Sequence, residues 1–439
     1  MFQKLEHYIF YIFLFSIPFQ VRKILYFSEW RFNEWQSISV YATDVLLVIL
    51  LVFWLFNFSF KLKKSDYFLL AFLAISAISI KNANNHLVSS FQWIKLVEFV
   101  IFYWYLSNYA LKKFGLYNFF MAILVGGVFQ AVIAIIQFLK QSSLGLKYLG
   151  ESFINSDLSG IASFYLPSGE KIIRAYGTTP HPNVLASFLL LAIFGFYFVY
   201  LYSKLHSEHS PLADRWDKFM LVSYILMLFS FFSTFSRTVI FAFFATFCLR
   251  GMIILIRKHY RLVFGTQQGR KRIRAILLCG LAAILIFGSF YFDEIKSRIS
   301  IDGEDQAVQL RSFYAKEAMS GEIKWFGVGI GNFVSWMVEK NPFLPPYAYQ
   351  PVHNIYLLLY SENGILGLIA FLGFLIFAVK DFIVKTRLKK SYHLSLLFFF
   401  GSLIFIGFFD HLFMTLQRGR LIFWTGLGML TFFSKDDII

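Results

Sequence analysis

The chain has 439 residues, 58% of them hydrophobic and 58 of them phenylalanine, which excludes an ordinary soluble globule and points to a polytopic membrane protein. Its net charge of +16 does not imply a nucleic-acid partner, because most of the basic residues lie in short loops between apolar runs. Both cysteines, Cys248 and Cys279, fall inside apolar runs, so no disulfide framework is implied.

In chain order, the first apolar run, about 8–20, lacks a small-residue cleavage site and reads as a retained helix rather than a removed signal peptide. Further runs follow at about 41–59, 67–80, 90–110, 116–139, 183–203, 219–233, 238–256, 275–292, 352–379, 393–409 and 419–433. The predicted fold is an all-α polytopic membrane protein of about 12 transmembrane helices, a single integral membrane domain over residues 1–439. Four basic groups set its orientation: Lys61, Lys63 and Lys64; Lys112 and Lys113; Arg257 to Arg274; and Lys380 to Lys390. With twelve spans all four lie on one side, which makes both termini cytoplasmic. Two long loops, about 140–182 and 293–351, are then external and are expected to contain short helices. The second carries an amphipathic helix at about 304–320. There is no Walker loop and no strand–glycine–helix fingerprint, so this chain alone does not draw energy from cytoplasmic ATP.

The chemistry is expected outside. Helix starts near Pro182, Ser236 and Pro351 would point backbone amides at the external surface, each with Arg174 and His181, Arg237, or His353 close by in sequence. Such a set suits a phosphorylated headgroup. Arg174 could equally meet lipid phosphates. Arg237, in a tight turn between apolar runs, must snorkel or find a partner. The glycines of Gly327-Val328-Gly329-Ile330-Gly331 form either an amide nest for an anion or a tight structural turn. Asp302, Glu304 and Asp305 read as a solvated loop in preference to a divalent-metal site, and no metal is expected.

A helix starting near Pro351 would put His353, Tyr360, Gly364 and Gly367 on one face, with the glycines allowing close packing against a neighbouring helix. His353 would sit in its first turn, where the helix dipole keeps an imidazole neutral and basic. His206, His209, His259 and His393 fall on the cytoplasmic side, and His7 lies at the inner end of the first run. His86 and His411 are external but carry no supporting motif, so His353 is the candidate base.

His353-Asn354, nine residues, then Gly364-x-x-Gly367 resembles the signature of the O-antigen ligase family, whose superfamily includes O-antigen polymerases and bacterial protein O-oligosaccharyltransferases. Three further segments resemble it in order and placement: Arg174 ahead of His181-Pro182-Asn183, Ser236-Arg237, and Arg311 followed by Gly327-Val328-Gly329. The resemblance implies a GT-C-type, inverting glycosyltransferase that uses neither nucleotide sugars, metal nor other cofactor. Its donor would be a glycan on undecaprenyl diphosphate. His353 would be the general base, and Arg174, Arg237 and Arg311 would hold the diphosphate. Asn354, Gly364, Gly367, His181, Asn183 and Gly329 would support them.

It further implies a bacterial inner membrane location with the active site facing the periplasm. A ligase acting on lipid A-core is the first expectation. An O-antigen or exopolysaccharide polymerase is the second, and a protein O-oligosaccharyltransferase is a further alternative. A lipid-linked oligosaccharide flippase is the rival of another class. Many twelve-span transporters consist of two similar halves around a long central cytoplasmic loop. Here the connection after the sixth run, about 204–218, is short, and no internal repeat is visible.

Overall fold

A computed structural model of the chain describes residues 2–27, 32–202, 211–256, 267–299, 306–320 and 325–433. The acidic residues Asp302, Glu304 and Asp305, and the histidines His206, His209 and His259, lie outside the described residues.

The protein is mostly helical, and each of the twelve apolar runs centres on a helix. Lipid offers no hydrogen-bond partners, so an apolar run in a bilayer satisfies its backbone internally, as a helix. Among the described residues, six helices are long and apolar enough to cross a membrane: His86–Phe114, Leu116–Lys140, Pro182–Leu201, Asp214–Ser233, Gln267–Phe290 and Ile355–Thr386. Ala42–Leu55 and Tyr392–Gly407 are apolar but shorter.

The helices and loops group into two compact units. The first comprises Met1–Val21, Leu111–Ile301 and Leu388–Ser402. Within it the helix Leu116–Lys140 packs on Pro182–Tyr202, and the approach is close: a Cβ added at Gly127 would lie 2.4 Å from Ala192 Cβ. The first long loop holds a 3-10 turn, Lys147–Leu149. It also holds an antiparallel strand pair, Ser163–Tyr165 with Lys171–Ile173, which the expectation of helices alone did not include. The pair is short, and its register sets Ile173 opposite Ser163, so Arg174 leaves the strand end at a fixed position.

The second unit comprises Arg22–Ala110, Asp302–Arg387 and Leu403–Ile439. Its spine is the helix Ile355–Thr386, against which Lys64–Ser79 runs; Phe68 fills the space beside Gly373, where an added Cβ would meet its ring at 2.5 Å. In the second long loop, where an amphipathic helix is expected at about 304–320, the described residues form the helices Gln306–Ala318 and Phe333–Lys340. Tyr314 and Ala318 of the former and Phe333 and Met337 of the latter bury against Val352 and Leu358, fixing the approach to the spine helix.

Two expectations for the spine helix are corrected. It begins at Ile355, not near Pro351. Asn354 is the N-cap, its Oδ1 accepting from the amides of Tyr356 (2.9 Å) and Leu357 (3.0 Å). Nor do Gly364 and Gly367 form one helical face with His353, because the helix breaks at Gly364 (φ 69°, ψ −175°). That conformation is open only to glycine. The break frees the carbonyls of Ser361 and Glu362, and the loop fills it: Val328 N–H donates to Ser361 O (2.9 Å) and Gly329 N–H to Glu362 O (3.0 Å). A Cβ on Gly364 would lie 2.0 Å from Trp325 O, so this glycine admits a loop rather than a neighbouring helix.

Candidate active site

In the second unit the chain arrives at the spine helix through Pro351 and Val352, both buried, and then turns at His353. Asn354 caps the helix and also donates from Nδ2 to Phe408 O (3.1 Å), at the end of the helix Ser391–Gly407. Ile355 sits where a Cβ on Gly407 would be, 2.6 Å away. These contacts bring the next loop, Asp410-His411, up to His353. The two imidazole rings stand 4.8 Å apart between centroids, inclined at 48°. One possible ligand atom each of His353, Asp410 and His411 lie within 4.8 Å of one another.

Each member of this group has its own support. Asp410 Oδ1 accepts from Leu412 N–H at 3.2 Å. His411 Nδ1 lies 2.7 Å from Thr415 Oγ1, and Trp35 packs edge-on to the His411 ring at 5.0 Å. His353 packs 6.1 Å from the ring of Tyr314, whose hydroxyl donates to Ala348 O at 2.8 Å. Arg311, exposed, stands one helical turn before Tyr314, close enough for its charge to act on His353.

Burial lowers the pKa of the His353 imidazole below its ordinary value, the Asp410 carboxylate opposes this, and the Arg311 guanidinium adds to it. His353 is therefore neutral near pH 7 and carries an available lone pair. Its Nδ1 is buried and has no hydrogen-bond partner among the described residues.

A cavity lies beside residues that touch the group. Trp35, Pro351 and Thr415 line it together with Gln92, Glu362, Asn363 and Arg420, among apolar side chains such as Phe72, Phe99 and Val334. Both polar atoms of the Asn363 amide are buried there without a partner among the described residues. The Asn363 amide and the other polar lining residues can bond hydroxyl groups or water.

The first unit holds the other half of the predicted set. Arg174, 6% exposed, donates from Nε to Thr234 O (2.6 Å) and from Nη2 to Asn183 Oδ1 (2.7 Å). Asn183 Oδ1 also accepts from Ser236 Oγ at 2.9 Å, and Asn183 N–H donates to His181 Nδ1 at 3.1 Å. Pro182 is the first residue of its helix, as its fixed φ favours. The segments around Arg174, His181-Asn183 and Ser236 thus meet at one amide oxygen. Arg237, the first residue of its own helix, donates from Nη1 to Arg298 O at 3.2 Å.

Of the predicted residues, then, His353 and Arg311 both lie in the second unit, and Arg174, His181, Asn183 and the Ser236-Arg237 turn come together in the first. Gly329 packs on Ala83, an added Cβ meeting that residue's Cβ at 2.7 Å, and its amide is spent on Glu362 O. With Val328 N–H spent likewise and Ile330 N–H donating to Ser79 Oγ (3.0 Å), these three amides hold the run in place as a structural plug.

A family model described as O-antigen ligase matches residues 222–372. That match supports the O-antigen ligase family for this chain. The O-antigen ligase stretch contains Arg237, Arg311, His353, Asn354, Gly364 and Gly367, and it leaves out Arg174, Asp410 and His411. The match supports an O-antigen ligase or polymerase type of membrane glycosyltransferase, and the apolar helices support a multi-pass membrane protein. No curated protein matches the chain.

Asp410 and His411 are the residues that sequence reasoning passed over. The available signal was a neighbouring acid and imidazole in a short connection between two apolar runs, on the same predicted side as His353.

Proposed function

We propose that this protein transfers a glycan from undecaprenyl diphosphate to an acceptor hydroxyl at the external face of a bacterial inner membrane, as an O-antigen ligase does with lipid A-core. The observation that carries this reading is a neutral, half-buried His353 held beside Asp410 and His411, with the cation Arg311 at hand, inside or next to the O-antigen ligase stretch.

In this reading His353 takes the proton of the acceptor hydroxyl while that oxygen attacks the anomeric carbon. The bond from that carbon to the diphosphate oxygen breaks, and the anomeric configuration inverts. Undecaprenyl diphosphate leaves with the bonding electron pair. Arg311, Arg237 and Arg174 bind the diphosphate and stabilise its growing charge, since guanidinium stays protonated and matches phosphate oxygens in pairs. Asp410 stabilises the imidazolium that forms on His353, and His411 and Asn354 hold the ring in place. The diphosphate is already an activated leaving group, so no nucleotide and no metal ion is required. The topology that accompanies this reading has twelve spans, both termini in the cytoplasm, and the cavity near Trp35 and Thr415 open to the acceptor.

The test supplies purified protein with undecaprenyl-diphosphate-linked glycan, EDTA, and three acceptors in separate reactions: lipid A-core, a second lipid-linked glycan, and a periplasmic protein. Product on lipid A-core is expected. Product on the second lipid-linked glycan alone makes the protein a polymerase, and product on protein alone makes it a protein O-oligosaccharyltransferase. Donor crossing a liposome membrane without any product overturns the transferase reading.

A further inference from the structure

We infer that His353, Asp410 and His411 form a binding site for one divalent transition-metal ion of the zinc type, an ion that shuts the site rather than serving its chemistry. Two imidazoles and one carboxylate are a zinc donor set that leaves a fourth position for water. The three donors already lie within 4.8 Å of one another. Zinc–nitrogen bonds of about 2.1 Å put tetrahedral donors roughly 3.4 Å apart, so side-chain rotations of about an ångström close the trio.

The surroundings prepare the donors. Thr415 Oγ1 donates to His411 O at 3.2 Å, which leaves that hydroxyl oxygen to accept from His411 Nδ1 at 2.7 Å. A proton on Nδ1 makes Nε2 the nitrogen that would ligate. A ligating histidine is usually oriented in this way by a partner on its other nitrogen. His353 Nδ1 is buried and without a partner among the described residues. Asp410 is oriented by Leu412 N–H and supplies the negative charge. Arg311 opposes a cation, but it is exposed and its charge is screened by salt.

The metal would take the lone pair with which His353 accepts a proton. This consequence, unlike the binding itself, rests on the glycosyl-transfer reading.

The experiment titrates zinc chloride into full-length protein in detergent, freed of metal by EDTA and desalted, with magnesium chloride as the control. Calorimetry is expected to show one zinc site and no magnesium heat. Asp410→Asn and His411→Ala should each weaken binding at least tenfold, and Thr415→Val about tenfold through loss of the orienting hydroxyl. Size-exclusion profiles and melting curves establish that each variant is folded. If His411→Ala fails to fold, the isosteric Asp410→Asn decides. Absence of zinc binding by the wild type overturns the site, as does binding left unchanged by Asp410→Asn. Either result leaves the transferase reading intact. Stoichiometric zinc binding with full transfer activity would instead contradict His353 as the base.

Discussion

His411 holds its ring 4.8 Å from that of His353 while its own Nδ1 is tied to Thr415 at 2.7 Å. His411 is thus a positioning residue, and its loss should act differently from loss of the base. His411→Ala is expected to lower kcat of glycan transfer by about 10- to 100-fold, with KM nearly unchanged. A rise in KM with unchanged kcat would place His411 in acceptor binding instead.

The arginines should be sensitive to shape as well as charge. Arg237→Lys and Arg311→Lys keep the charge but lose the planar fork, and each is expected to cost about tenfold or more in kcat/KM. Lysine serving equally well at position 237 would make that residue a snorkelling anchor.

Asn183 is a shared acceptor for Arg174 and Ser236. Asn183→Ala leaves a buried guanidinium short of a partner, at a cost of about 1–3 kcal/mol. A lowered melting temperature should therefore accompany loss of transfer. An unchanged melting curve would show that Arg174 does not depend on this bond.

The break in the spine helix predicts a steep cost at one glycine and none at another. Gly364→Ala forces a Cβ onto Trp325 O in a backbone conformation closed to alanine, and at least about 3 kcal/mol of destabilisation is expected. Gly288→Ala, in the helix Gln267–Phe290 with nothing within 4 Å, should leave the melting temperature unchanged or raise it slightly. Equal melting of the two variants would contradict the packing of residues 325–329 into the break.

Much of this arrangement was legible in the sequence where one local cause dominates. Apolar runs become helices because lipid leaves the backbone no other partner. Pro182 opens its helix because its ring fixes φ. Pro351 did not, since Asn354 three residues later offers a side-chain cap, and the stronger local signal sets the boundary. At Gly364 the sequence is mute, because glycine suits a close-packed helix and a broken one alike, and the loop at Val328 and Gly329 decides between them. The meeting of Arg174, Asn183 and Ser236, and of His353 with Asp410 and His411, is tertiary in origin. No spacing announces such contacts.

The most direct test of the central claim compares purified wild type with His353→Ala for transfer of undecaprenyl-diphosphate-linked glycan to its acceptor, with EDTA present. The wild type should form product, and the variant should lose about 10²–10⁴-fold in rate while keeping its melting temperature. His353→Ala turning over near the wild-type rate would remove the proposed base and with it the mechanism.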